Sequence, residues 1–123
     1  MMYITKEDLI DRFGEREILR LESNINDPQA VETAITDAVD VINGYIAAYN
    51  ALPLPIIPAS VSRICAVLAR YYLYKDKPTE QVRTDYEDAI RWLEQVSSGK
   101  IKLILGLEEP KPDIGFISGA MVI

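Results

Sequence analysis

The 123-residue chain contains no histidine and a single cysteine, Cys65. The absence of histidine excludes Ser-His and Cys-His catalysis and removes the commonest metal ligand. One cysteine cannot form a disulfide within the chain, and Cys65 lies on an apolar helix face where an inert packing role is typical. The six glycines are dispersed and form no phosphate-binding loop. We therefore expect no catalytic residue, no metal site and no cofactor, and we predict that the protein is not an enzyme.

Two pairs of aspartates are spaced three residues apart, as paired catalytic carboxylates can be. The pairs are Asp37 with Asp40 and Asp85 with Asp88. Both pairs lie on the polar side of a predicted helix, whereas an acid–base pair needs desolvation to separate its two pKa values. The spacing is therefore more typical of a solvated helix surface.

Positive charge is scarce, because 13 Lys and Arg face 19 Asp and Glu, which gives a net charge of −6. Affinity for phosphates comes largely from Lys and Arg, so we do not expect the chain to bind nucleic acid as its main partner. The charge is also uneven: residues 1–40 carry −6, residues 41–78 carry +3 and residues 79–123 carry −3. Two acidic flanks thus enclose a weakly basic centre.

Long apolar runs are missing as well. The densest one, Ile64 to Leu68, is far shorter than the roughly 18 residues that a membrane-spanning helix needs. The first residues lack the basic segment and apolar run of a signal peptide. We expect a soluble protein, made in a reducing cytoplasm, with no membrane partner.

Helical periodicity is present over residues 1–99 and predicts a mainly α domain of four to five helices. Thr5 and Asp8 form an approximate capping box at the first helix, which Gly14 ends. A second helix is predicted over Glu15 to Leu21, with Leu19 facing inward. The polar residues 22–26 are predicted to form a loop.

Three longer helices follow, two of them amphipathic and one apolar and central. Asp27-Pro28 is a strong start signal for a helix of about six turns that reaches Tyr49. After a proline-rich segment, Ser60 or Ser62 is expected to cap a helix that is apolar around most of its circumference, so the other helices should surround it. Thr79 is expected to cap the last, amphipathic helix.

From Lys100 the hydrophobic period changes from 3.6 to about 2. We interpret residues 100–123 as an extended C-terminal arm, either a short hairpin or a segment that docks on a neighbouring molecule. The arm is uncharged after Asp113, and such an apolar segment must be covered, by its own domain or by another subunit. Its candidate interaction residues are Ile114, Phe116, Ile117 and Met121.

Three further candidate interaction residues lie in the helical part. Arg63 and Arg70 are seven residues apart and therefore nearly aligned on one helix. They could form ion pairs with Asp37 or Asp40 of the preceding helix, or an exposed basic stripe that meets the acidic flank of another copy. Tyr49 belongs to a group of tyrosines near the proline-rich segment, which could be core or an aromatic interface.

Many short segments between residues 2 and 106 carry a resemblance to a known family. They are Met2-Tyr3-Ile4-Thr5-Lys6-Glu7-Asp8-Leu9, Arg12-Phe13-Gly14, Ala38, Ile42-Asn43-Gly44-Tyr45-Ile46, Tyr49, Ala51-Leu52-Pro53-Leu54, Pro58, Arg63-Ile64-Cys65, Leu68-Ala69-Arg70-Tyr71, Leu73-Tyr74, Val82, Tyr86, Ala89, Leu93 and Gly99. With these residues the chain resembles small virion proteins of Mu-like phages and prophages. More widely, it looks like the helical head–tail adaptor proteins of tailed phages, which form rings between capsid and tail.

The resemblance implies a structural role without catalytic residues. The expected partners are other copies of the chain in a ring and the portal or tail proteins, with DNA only passing through the ring and no small-molecule substrate. The expected location is the virion, after synthesis in the cytoplasm of the bacterial host. The alternative is a small cytoplasmic helical binding or regulatory module.

Overall fold

The computed structural model describes residues 2–106, and this part of the chain forms five α-helices without a β-strand. The helices are α1 (Lys6–Phe13), α2 (Glu15–Ile25), α3 (Ala30–Ile46), α4 (Ala59–Leu73) and α5 (Glu80–Ser97). None of them is long and apolar enough to cross a membrane. The mainly α fold is confirmed.

The start of α1 follows the predicted capping box. The Asp8 backbone N–H donates to Thr5 Oγ1 at 3.2 Å, and the Thr5 backbone N–H donates to Asp8 Oδ2 at 2.9 Å. Gly14 then separates α1 from α2 with φ +96°, a conformation that L side chains rarely adopt. Both predictions are confirmed.

Helix α2 is longer than predicted, and the loop expected over residues 22–26 is wrong. Glu22 pairs with Lys6 of α1 at 3.1 Å, which ties the polar last turn to the neighbouring helix. Asn26 ends α2 in the left-handed conformation, and its N–H donates to the Glu22 carbonyl. The inward position predicted for Leu19 is also wrong, because this side chain is 44% exposed.

The ends of the long helices correct two more expectations. Helix α3 ends at Ile46 rather than near Tyr49, and the Asn50 side chain donates to the Ile46 carbonyl at 3.0 Å. Helix α4 begins at Ala59 without a side-chain cap, and Ser62 Oγ instead donates to the carbonyl of Tyr3 at 3.0 Å. At α5 the Val82 N–H donates to Thr79 Oγ1, as predicted.

Helix α4 is central, as its composition predicts, and it contacts each of the other four helices. Its small residues Cys65, Ala66 and Ala69 are fully buried, which lets neighbouring helices approach closely. The large side chains of Val61, Ile64, Leu68 and Leu73 complete its share of the core. Side chains along the whole length of α4 therefore contribute to the hydrophobic core.

After α5 the chain continues over residues 100–106 without a helix or strand. Leu103 is only 4% exposed and joins the helical core, while Lys102 and Ile104 are exposed, so the side chains alternate as the period of two predicts. The first part of the predicted arm thus packs on the helical domain. Residues 107–123, which include Ile114, Phe116, Ile117 and Met121, lie outside the described residues, and the hairpin and docking interpretations stay predictions.

Candidate interaction surface

Neither a metal centre nor an enclosed cleft stands out in residues 2–106. No three His, Cys, Asp or Glu side chains of this part of the chain come together as metal ligands. An open depression of about 660 Å³ lies where α2 and α4 end, and Arg20, Asn24, Tyr74, Lys75 and Lys77 are among its lining residues. Arg20 in this wall donates to the Tyr74 hydroxyl at 3.2 Å.

Arg70 lies in a cluster of polar groups near the C-terminal end of α4. Its Nε donates to Glu17 Oε2 at 2.7 Å and its Nη2 donates to Glu17 Oε1 at 3.1 Å, a bidentate pair. The Tyr74 hydroxyl also donates to Glu17 Oε2, at 2.9 Å. The guanidinium stacks over the Phe13 ring at 4.3 Å, and Asp85 lies 3.9 Å away.

The cluster shifts the pKa values of its members in the direction that favours the ion pair. Burial alone raises the pKa of Glu17, but the hydrogen bonds from Arg70 and Tyr74 and the nearby positive charges outweigh it, so this pKa lies below its ordinary value. Burial lowers the pKa of Arg70, yet Glu17 more than compensates and raises it. The cluster links α1, α2, α4 and α5, and Arg70 is engaged inside the chain.

This arrangement corrects the ion pairs expected for Arg70. Its partners are Glu17 on α2 and Asp85 on α5, whereas Asp37 and Asp40 are exposed on α3 and do not pair with it. The reason is that α2 and α5 carry their acids beside the last turn of α4. Sequence spacing does not reveal which helix passes there.

Arg63 has a different environment although it is on the same helix. It is exposed and lines a shallow groove of about 230 Å³ between α4 and α5, together with Asp85 and Asp88. Within residues 2–106 no carboxylate lies within 4.0 Å of it, while Asp88 pairs with Arg91 at 2.7 Å. Arg63 is thus the member of the predicted arginine pair that is free to meet another molecule.

The main feature of the surface is a group of exposed apolar side chains. Residues 2–106 contain seven large exposed hydrophobic side chains, and five of them lie between α3 and α4 or after α5. These five are Tyr49, Leu52, Ile56, Ile57 and Ile104, with Tyr49 67% and Ile104 80% exposed. We call them the apolar end surface, because they flank the N-terminal end of α4.

Close contacts bring the two segments of this surface together. A Cβ atom at Gly99 would lie 3.1 Å from the Tyr49 ring, and one at Gly106 would lie 3.1 Å from Ile56 Cδ1. Ile101 lines a depression of about 220 Å³ beside Tyr49 and a second of about 450 Å³ that also includes Trp92, Pro58 and Ile104. The apolar surface therefore extends across both segments.

Sequence reasoning identified Tyr49 but missed Ile56, Ile57, Leu52 and Ile104. The signal was available for the first two, since an Ile-Ile pair between Pro55 and Pro58 has no helix or strand in which to be buried. Leu54 of the same segment is buried and anchors it to the core. Ile56 and Ile57 are therefore exposed on a segment that Leu54 fixes to the core.

The comparisons with known proteins cover the helices and the apolar end surface together. A family model described as Bacteriophage Mu, Gp36 matches residues 3–115. The Mu-like prophage FluMu protein gp36 of Haemophilus influenzae is 36% identical over an alignment of 126 positions, which covers 99% of this chain and 88% of that protein. Gene product J of Escherichia phage Mu is 40% identical over 105 residues, 81% of this chain and 74% of that protein.

Proposed function

The chain belongs to the Bacteriophage Mu, Gp36 family, and we propose that it is a structural subunit of the phage particle that connects head and tail. In this role copies of the chain join each other and a portal or tail protein. The chain acts by packing and surface complementarity and performs no catalysis. Family membership confirms the resemblance to proteins of Mu-like phages and prophages.

The apolar end surface is the observation that supports the proposal most directly. A contiguous apolar patch on a protein that is otherwise rich in charge marks a site of contact with another protein. The centres of such interfaces are enriched in aromatic side chains, and Tyr49 is 67% exposed here. The exposed Lys102 lines the depressions beside Tyr49 and Ile104 and adds one positive charge to this surface. An adaptor that works through contacts needs a surface of this kind.

The remaining surface differs from the apolar end in a way that suits a ring. A ring is built from heterologous contacts, in which one surface meets a different surface on the next copy. Arg63 is exposed in the weakly basic centre of the chain, and Asp37 and Asp40 are exposed in its acidic flank. These unlike regions can meet between neighbouring copies.

DNA enters the proposal only as cargo that passes through the assembled ring. A net charge of −6 does not favour binding to phosphates. An acidic inner wall would repel the duplex and let it slide.

The test compares two aspartate substitutions in the phage or prophage that encodes the chain. Ile104→Asp adds a charge to the apolar end surface, and Leu19→Asp adds the same charge at an exposed leucine of α2. We expect Ile104→Asp to produce filled heads separated from tails under electron microscopy. Leu19→Asp should give complete particles that contain the chain.

Equal helicity of both purified variants by circular dichroism serves as the folding control. Particles that lack the wild-type chain while the cytoplasm retains it would overturn the proposal and favour a binding or regulatory module. Complete particles from both variants would show that the apolar end surface has no part in assembly.

A further inference from the structure

The segment that borders the apolar end surface, residues 102–106, has backbone groups without a partner in the described part of the chain. The Lys100 and Ile101 N–H groups both donate to the Gln95 carbonyl, at 2.9 and 3.1 Å. Beyond them, no backbone group of residues 102–106 forms a hydrogen bond with any other residue of the described part, 2–106. Buried Leu103 nevertheless holds the segment on the helical core. An anchored segment whose backbone groups have no partner within residues 2–106 offers a template for the addition of a strand.

We propose that residues 114–123 of a neighbouring copy add as a strand to residues 102–106 and cover the apolar end surface. The inference deepens the proposed function and rests on it, because it names the contact that would join copies. The added strand would pair with the backbone groups of residues 102–106 that have no partner within the described part, and its side chains would cover Ile104 and Ile56.

The composition of residues 114–123 fits this position. The ten residues, Ile-Gly-Phe-Ile-Ser-Gly-Ala-Met-Val-Ile, carry no charge, so an apolar surface is the complementary binding site. A strand directs successive side chains to opposite faces, and both faces of this segment contain large apolar residues, for example Phe116 and Ile117. One face can therefore contact the apolar end surface.

The described part of the chain ends at Gly106, beside the apolar end surface. Gly106 lies against Ile56, and seven residues, 107–113, separate it from Ile114. Tight hairpins use loops of about two to five residues with Asn-Gly or similar pairs, whereas residues 107–113 contain Pro110 and Pro112 and no glycine. This composition does not favour an immediate return along residues 102–106 of the same copy.

The length of the spacer permits contact with the next copy. Seven residues span at most about 25 Å, compared with a radius of gyration of about 13 Å for a domain of about 100 residues. If each copy donates one segment and accepts one, every apolar end surface is covered when a ring closes.

Disulfide trapping between full-length chains tests the inference. The native Cys65 is completely buried, and burial raises the pKa of its thiol to about 12, so it does not compete at neutral pH. A chain with Ile104→Cys is mixed with a chain of different mass that carries Phe116→Cys or Ile117→Cys. We expect a disulfide between the two chains, several-fold stronger for one of these adjacent positions than for the other, because they point to opposite faces of a strand. In the control, Leu19→Cys replaces Ile104→Cys, and we expect only a background amount of disulfide between the two chains.

A double variant, Ile104→Cys with Phe116→Cys, shows whether the segment 114–123 that covers residues 102–106 comes from the same chain or from a neighbouring copy. A disulfide within one chain, at all protein concentrations and without mixed dimers, would overturn the inference and assign the segment to its own domain. Trapping that does not exceed the Leu19→Cys background, or that is equal at positions 116 and 117, would also overturn it. These results would overturn the inference alone if purified phage particles still contain the chain, because the proposed function would then stand. Particles that lack the chain would refute the proposed function itself, whatever disulfides form.

Discussion

At the C-terminal end of α4 the polar groups are paired within the chain, whereas at its N-terminal end apolar side chains are exposed. Arg70, Glu17 and Tyr74 satisfy each other through hydrogen bonds of 2.7 to 3.1 Å. About 16 Å away along the same helix, the segments that flank Ala59 expose Tyr49, Ile56 and Ile104. One helix thus connects a region of paired polar groups with a region of exposed apolar side chains.

The difference indicates where the molecule can gain free energy from a partner. A satisfied ion pair gains little from new contacts, because burying it further costs desolvation. Exposed apolar area gains about 25 cal/mol for each Å² that a partner covers. Contacts at the N-terminal end of α4 are therefore expected to stabilise assembly, and the cluster at the other end to stabilise the subunit.

The comparison is tested most strongly by the two arginines of α4. Arg70→Met leaves the half-buried Glu17 carboxylate without its bidentate partner and should lower the free energy of unfolding by about 2 kcal/mol in urea titrations. Arg63→Met is the matched control at an exposed position, and it should change this free energy by less than about 0.5 kcal/mol. Equal losses in the two variants would contradict the distinction between an arginine that is paired within the chain and one that is not.

The pH dependence of Glu17 sharpens the same distinction. Because its folded pKa lies below the ordinary value of 4.5, the ionised carboxylate stabilises the fold above that pH, and this contribution is lost as the pH falls through the lowered pKa. Glu17→Gln should cost about 1.5 kcal/mol at neutral pH in urea unfolding, and the difference from the wild type should shrink in acid.

Glu87→Gln, at an exposed acid of α5, is the control for this measurement and should show no comparable change. A difference between Glu17→Gln and the wild type that stays constant with pH would mean that the ion pair does not stabilise the fold.

The smallest effects are expected from two glycines. Gly99 has φ +84° and lies under the Tyr49 ring, so Gly99→Ala should lower the unfolding temperature and cost about 1 kcal/mol. Gly44, within α3, has open space around it, and Gly44→Ala should instead gain about 0.8 kcal/mol. If Gly99→Ala left the unfolding temperature unchanged, the Tyr49 ring would not be held in place against Gly99.

The helices could be predicted where the signals are local. Thr5 with Asp8, Gly14 and Thr79 each act on backbone groups within four residues, and each of these boundaries is confirmed. The end of α2 was missed because the ion pair of Glu22 with Lys6 depends on a second helix. The absence of a side-chain cap on α4 was missed for a similar reason, since Ser62 bonds to Tyr3, 59 residues away.

The candidate surface was less accessible to prediction than the helices. Tyr49 could be proposed from composition, but neither its exposure nor its contact with Gly99 follows from local pattern. The separation of Arg63 from Arg70 depends on which helices pass beside each of them. Such questions involve residues far apart in the chain, where spacing carries no information.

By itself the amino-acid sequence determined a helical chain with an apolar central helix and an alternating segment after Gly99, because periodicity and capping act over a few residues. Only the tertiary structure decided that Arg70 is engaged by Glu17, that Arg63 is free of ion pairs within residues 2–106, and that Tyr49 and Ile56 lie against Gly99 and Gly106. The physical reason is that burial and pairing depend on which elements pack side by side, and that choice is made by the core as a whole.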